Sequence, residues 1–221
     1  RAPGRGGGRA AARAGFRAAA GETQSLFTGA ERFGEIHLVG VGRTPLKARD
    51  LEDFGGQAGK LARSSKAPRV AVIAPTDEAA DLVDAAFGAA LGQYSFDRYK
   101  SAARQRDGAL AFIAADPAAA RTLWNSGRSH VAASVIWARD MQTEPANVVY
   151  PEEFVVRARD LLRGAPNVSI TVLDVPAMQR LGMNALLSVG HGSARPSRLL
   201  IVEYRGGPSG AAPVALVGKG I

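Results

Sequence analysis

The chain has 221 residues, of which 46% are hydrophobic and none is cysteine, and its formal net charge at pH 7 is +8. That length suits one large domain or one and a half ordinary ones, and much of the apolar material is Ala, so the core is expected to rest on close helix approach. The missing cysteine excludes disulfide scaffolds, thiolate zinc sites and cysteine nucleophiles and leaves oxygen and nitrogen donors for any metal; no apolar run nears the ~20 residues of a bilayer span, and with no targeting segment visible a cytoplasmic location is expected.

Residues 1–8 (RAPGRGGG) are expected to form a disordered Gly/Arg-rich end. Residues 9–20 suggest an Ala-rich helix with Gly21 as its stop. Arg1, Arg5, Arg9, Arg13 and Arg17 recur every four residues with no acid before Glu22. Such a run suits nucleic acid, an acidic membrane surface or a transit peptide, but charge runs usually only face water. An alternation follows: a strand over 35–41, a helix over 45–65 weakened by Gly55 and Gly56, a strand over 69–74, and a helix over 76–91 with Thr76 as N-cap. A third strand spans 108–114. The β-α-β-α-β order predicts an α/β domain over 9–115 with a mostly parallel, helix-covered sheet.

Asp116 to Met141 reads as a long helix, capped by Asp116, with Pro117 in its first turn and an apolar stripe of Leu123, Trp124, Val131, Val135 and Ile136. Residues 116–145 are expected to connect two domains, Pro145 stopping the helix. A second α/β unit, 146–221, follows: a helix from Pro151 to Leu162, a strand over 168–173, a short helix over 175–181, and strands over 199–204 and 214–217. The chain begins at Arg1 rather than Met and ends inside an apolar run, so both ends are expected to be truncations and the second unit incomplete.

Few residues announce chemistry. Gly40-Val41-Gly42 lacks the third glycine of a dinucleotide loop and reads as a tight turn. Gly218-Lys219 fails as a phosphate loop, with Pro213 and Gly220 at the positions that need Gly and Ser or Thr. His37, His130 and His191 are not spaced as metal pairs and read as structural, His191 keeping some interest for its flanking glycines. Lys219 stands out, flanked by glycines at the carboxyl end of an apolar run, where open α/β sheets collect ligands. A lysine there can bind an anion, act as a base or ligate a metal as a neutral amine.

Four stretches in order resemble the leucyl aminopeptidase family of cytosolic dinuclear-metal peptidases. Tyr94 to Lys100 is similar to its "Y-x-F-D-x-Y-K" segment. Arg139 to Asn147 resembles its "R-D-L-x-N-x-P-A-N" inter-domain segment, with Gln142 in place of an apolar residue and Glu144 and His191 as variants; a "P-x-x-F" helix start follows at Pro151 to Phe154. Leu181 to Leu199 resembles "L-G-M-G-x-L-L-A-V-x-x-G-S-x-x-P-P-R-L", and Pro213 to Ile221 the strand leading into the family's first metal ligand.

The resemblance implies a small N-terminal α/β domain, the start of a catalytic α/β domain, and in the complete enzyme two divalent ions (Mn²⁺ or Zn²⁺, with Mg²⁺ as a further choice). It implies removal of N-terminal residues from peptides by metal-activated water, and a homo-hexamer. Lys219 matches the lysine ligand of "G-K-G-x-T-F-D"; the aspartate ligand, the catalytic lysine and the "N-T-D-A-E-G-R" motif have no counterpart in these residues. The fragment is therefore expected to hold no dinuclear centre and to be inactive alone. The alternative reading is a DNA-binding regulatory or non-catalytic oligomerisation module of the same family.

Overall fold

A computed structural model describes residues 15–27, 34–101 and 109–220, and the chain divides into two units, residues 1–140 and 141–221. The expected disordered end at 1–8 and the arginines from Arg1 to Arg13 lie outside the described residues. Of the helix expected over 9–20, residues 15–20 are described and are not helical. Gly15 and Ala18 take φ of 77° and 57°, and the Glu22 carboxylate accepts the backbone N–H groups of Arg17 and Ala19. An acid placed to collect those donors holds the segment as a turn despite its alanines.

That turn grips the next glycines. Gly40 N–H donates to the Glu22 carbonyl at 2.7 Å, and Gly42 N–H to the Ala18 carbonyl at 3.0 Å. A Cβ on Gly40 would overlap the Ala19 carbonyl oxygen. Gly40-Val41-Gly42 is thus a backbone-packing turn. Between the two clamped segments lie β1 (Thr23–Phe27), which sequence patterning did not mark, and β2 (Glu35–Val39). They pair antiparallel, with Ser25 opposite His37.

α1 (Ala48–Ser64) buries Leu51, Phe54, Gly55, Ala58, Gly59 and Ala62, an i, i+3, i+4 stripe. It starts at Ala48 rather than 45, with the Asp50 carboxylate accepting the Lys47 N–H at 2.8 Å. α2 (Ala79–Gly92) has Glu78, not Thr76, at its cap position. The Thr76 hydroxyl instead accepts the Glu78 N–H and donates to Asp81. Thr76 therefore forms a turn ahead of the helix.

The two helices meet backbone to backbone. A Cβ on Gly55 or Gly59 would overlap the carbonyls of Ala85 and Ala89, and one on Gly88 or Gly92 those of Glu52 and Gly56. Contact positions rise together along both helices, so they run in the same direction. This is the close approach expected from an Ala-rich core, and Gly55, read as a weakness in α1, is what permits it.

β3 (Arg69–Ile73) and β4 (Ala109–Ile113) pair in parallel. Val72 joins Leu51, Phe54, Ala58 and Ala85 in the core, with Leu110 and Phe112 packed against it. On the other sheet face Ile73 and Ile113 are exposed. The α/β class stands, with two differences: parallel pairing is confined among the described residues to β3–β4, and helices cover one face of that pair.

The long helix is interrupted. α3 (Pro117–Leu123) is capped as expected, Asp116 accepting the N–H groups of Ala118 and Ala119. A π-helical turn (Trp124–Arg128) then leads into α4 (Ser129–Thr143). The predicted stripe holds only in part: Trp124, Val135 and Ile136 are half-buried, Leu123 and Val131 are exposed, and Ala132 and Met141 are the buried positions. Arg128, at its end, pairs with Asp84 of α2 and, at 3.4 Å, with Glu52 of α1. Arg139 donates to the Leu91 carbonyl at 2.9 Å, which also accepts from the Tyr94 N–H at 3.4 Å, so the arginine places a charged donor at the end of α2.

In the second unit α5 (Pro151–Leu161) leads to β5 (Val168–Leu173), α6 (Val175–Arg180), α7 (Asn184–Val189) and β6 (Leu199–Tyr204). α7 lies where patterning placed no helix. β5 and β6 pair antiparallel, Leu173 opposite Leu199. The strand expected over 214–217 is not formed: among the described residues the segment has no ladder partner, and Val214, Leu216 and Val217 are 90–97% exposed. Apolar composition favours a strand only where a neighbouring backbone completes its hydrogen bonds.

The glycine seam yields a contrast. Gly55→Ala is expected to lower stability by about 1–3 kcal/mol, because the helices must separate. At Gly56 an added Cβ would lie 3.8 Å from the Gly88 carbonyl oxygen, an ordinary contact. Gly56→Ala should therefore raise stability by about 0.5–1 kcal/mol through helix propensity alone. Urea unfolding of the two variants beside the parent measures both signs.

Candidate functional site

Lys219 lies in the segment 211–220, which has no regular secondary structure, and it is exposed. A Cβ on Gly218 would meet open space, and one on Gly220 would lie 3.7 Å from the Phe154 ring of α5. Among the described residues no carboxylate forms an ion pair with Lys219, and no three His, Asp or Glu side chains gather as metal ligands.

α5 carries the other notable features of this unit. Pro151 opens it, with Glu152 and Glu153 in the first turn, where carboxylates favour the helix N-terminus. Arg157 sits between two acids, its Nε 2.8 Å from Glu153 and its Nη1 3.0 Å from Glu144. The Glu144 side chain is 0% exposed. These hydrogen-bonded carboxylates hold the Arg157 guanidinium firmly in its charged form, Glu153 contributing most. A buried carboxylate needs such a partner, since desolvation alone costs several kcal/mol. Glu144, a variant position of the inter-domain segment, therefore fixes that segment to α5.

The loop after α7 is strapped to the start of the same helix. The Arg195 guanidinium stacks 4.0 Å from the Tyr150 ring, and Arg198 lies 3.7 Å from Glu152. A Cβ on Gly190 would meet the Ser197 hydroxyl, which would have to rotate away.

The histidines are not brought to one place. His191 is exposed in a turn, its N–H donating to the Ser188 carbonyl, and His130 is exposed on α4. His37 lies 2.8 Å from the Ser25 hydroxyl through Nδ1 and 3.2 Å from Glu35 through Nε2. Glu35 also accepts from the Ser65 hydroxyl at the end of α1. This chain of side chains ties β1, β2 and α1 together; it is a structural latch, and only the strand register reveals it. In the Tyr94 to Lys100 segment, Asp97 accepts from Ser95 at 2.6 Å and pairs with Lys100. Those bonds, Lys100 first, hold its carboxyl below the ordinary Asp value.

Two family models match in chain order: the N-terminal domain of the cytosol aminopeptidase family over residues 8–103, and the catalytic domain of that family over 136–221. A probable cytosol aminopeptidase of Bradyrhizobium is 43% identical over 195 residues, which cover 83% of this chain and 38% of that protein. One from Rhodopseudomonas palustris is 38% identical over 226 residues, covering 96% of this chain and 44% of that protein. The chain thus spans about two fifths of the length of these curated relatives. Among solved structures, a tomato leucine aminopeptidase mutant superposes with a TM-score of 0.75 at 25% identity, over 87% of this chain and 39% of that one. A bottromycin maturation enzyme in complex with Mn shares the fold, with a TM-score of 0.71 at 23% identity, over 88% and 42%.

Two expectations follow from the ion pairs. Arg157→Ala should cost about 1–3 kcal/mol in urea unfolding, because it takes a charged hydrogen-bonding partner from the buried Glu144 carboxylate. Arg163→Ala, which removes an exposed pair with Asp160, should change stability by under about 0.5 kcal/mol. Asp97 should titrate below ~3.9. Its lowered folded value means that its contribution is present above the unfolded value and is lost as pH falls through the folded one. Carboxyl NMR titration should show Lys100→Ala moving it back upward.

Proposed function

Because the chain belongs to the cytosol aminopeptidase family, we propose that the complete protein is a metal-dependent aminopeptidase that removes N-terminal residues, leucine among them, from peptides. The order of the two matched domains, ending at a glycine-flanked lysine, is the observation that carries this reading.

Lys219 is assigned as one ligand of a divalent ion, with Mn²⁺ and Zn²⁺ as the leading candidates and Mg²⁺ next. Its amine must be neutral to donate its lone pair. Its exposure and the absence of a carboxylate partner among the described residues leave it available for that role. When bound, a pair of such ions supplies Lewis acidity to the scissile carbonyl and lowers the pKa of water. The remaining ligands are assigned to the portion of the relatives' length that this chain does not span, so the 221 residues alone are expected to be inactive. Gly218 and Gly220 keep the backbone beside the amine open to substrate. A homo-hexamer and a cytoplasmic location complete the reading; the latter is supported by the naming of the relatives as cytosol aminopeptidases.

The complete gene product should cleave leucine-p-nitroanilide only with Mn²⁺ or Zn²⁺ present, and Lys219→Ala should lower kcat/KM by about 10²-fold or more while circular dichroism stays unchanged. Metal-independent cleavage, or full activity in the variant, would count against the assignment.

A further inference from the structure

We propose that the cleft at the carboxyl ends of α1 and α2 is an oxyanion site, taking the phosphoryl group of a small molecule between the Arg63 guanidinium and the Gln93 side-chain amide. The site lies in the first unit and does not depend on the reading of Lys219.

The cleft has a volume of about 220 Å³. Its walls are largely apolar, with Ala62, Val70 and Leu110 among them, and its polar side chains are Arg63 and Gln93, both able to donate. Arg63 lies in the last turn of α1, and Gln93 follows α2. Among the described residues no carboxylate lines the cleft. Arg63 Nη1 donates to the Tyr94 carbonyl at 2.8 Å, which fixes the guanidinium and leaves its other N–H groups to a ligand. Gln93 commits one amide N–H to a long bond with the Ala89 carbonyl, at 3.5 Å, and keeps the other. Two ammonium groups flank this pair. Lys60 precedes Arg63 by one helical turn, and Lys66 adjoins the lining residue Ala67; both are exposed. Neither they nor Arg63 forms an ion pair with a carboxylate among the described residues.

Two acids reach this end of the unit, and both are engaged. Asp97, which feels the Arg63 charge, is bonded to Ser95 and Lys100. Glu35 is bonded to His37 and Ser65. The cleft therefore offers positive charge that its own carboxylates do not neutralise. A guanidinium makes short charge-assisted hydrogen bonds to a phosphoryl group, and the second negative charge that such a group carries near neutral pH gains from flanking ammonium groups. The simpler account is that cations complement the carboxyl ends of helices. It covers Arg63, in the last turn of α1, but not Lys66, which lies beyond that turn, nor an amide donor facing the same cleft.

The test follows hydrogen–deuterium exchange of the complete gene product by mass spectrometry. Inorganic phosphate and glycerol 3-phosphate are the probes, and sodium chloride at matched ionic strength is the control. About 10 mM phosphate, some ten times a ~1 mM Kd, is expected to slow exchange about fivefold or more in peptides carrying residues 62–70 and 109–110. Phosphate held at a metal centre would protect other peptides, so the two sites are read apart. Arg63→Gln should raise the phosphate needed for this protection about tenfold, as loss of one charge-assisted hydrogen bond does, and Lys66→Gln about twofold. Arg163→Gln, an exposed cation of the second unit, should change nothing. Because Arg63 also holds the Tyr94 carbonyl, Gln93→Ala is read beside it; this variant keeps every charge and should weaken protection about threefold. Stronger protection by glycerol 3-phosphate identifies a phosphomonoester as the ligand, and equal protection identifies the free ion. No protection with either probe would overturn the proposal. So would protection that chloride reproduces, or that survives unchanged in both Arg63→Gln and Gln93→Ala, and the cations would then serve the helix ends alone.

Discussion

The first unit depends on how closely α1 and α2 approach. Four glycines, Gly55, Gly59, Gly88 and Gly92, each face a carbonyl of the opposite helix across a gap that no Cβ can enter. Close approach multiplies weak dispersion contacts along both backbones, which compensates for the small apolar side chains on this surface. The pairing also sets where everything else can attach. β3 and β4 pack on the combined face through Val72, Leu110 and Phe112. Arg128 reaches an acid on each helix at once, and Arg139 closes the end of α2. Wider helix spacing would pull Glu52 away from Asp84 and leave Arg128 to one partner.

The second unit is organised differently, around charge. α5 gathers the inter-domain segment through Glu144 and, at its start, the 190–198 loop through Tyr150 and Glu152. Three arginines make these ties, each with an acid or a ring within reach. A basic balance at the level of composition therefore combines arginines that act as internal fasteners with arginines that face water. Arg63, Arg128, Arg139, Arg157, Arg195 and Arg198 are of the first sort. Of the evenly spaced N-terminal arginines Arg17 alone lies among the described residues, and it is exposed. Nothing among the described residues favours the nucleic-acid alternative.

Much of the fold was legible because it rests on local periodicity. The stripe of Leu51, Phe54 and Ala58, the strand runs at 69 and 109, and the Asp116-Pro117 helix start are statements about neighbours in sequence. What failed depended on partners outside the element itself. β1 is a strand because β2 lies beside it, while residues 214–217 have strand composition and no described partner. The 15–20 segment carries helix-forming alanines that the Glu22 carboxylate draws into a turn. Lys219 is proposed as a ligand from its flanking glycines and its motif alone; the described residues gather no three His, Asp or Glu side chains from which a metal site could be read.

The π-helical turn at Trp124–Arg128 has a consequence for how this chain tolerates changes in length. A π-turn carries about one residue more than the α-helical turn it replaces, and both close a full circle, so a one-residue difference in length is taken up there with little change in the direction the flanking helices face. Deleting one residue from Trp124–Arg128 is therefore expected to leave α3 and α4 a single regular helix with Arg128 still turned toward Asp84 and Glu52. A deletion inside α3, where no such turn takes up the difference, would swing Asp116 and Pro117 by ~100° relative to Arg128. The π-turn is thus the place in this stretch of chain where a change of length need not become a change of angular phase.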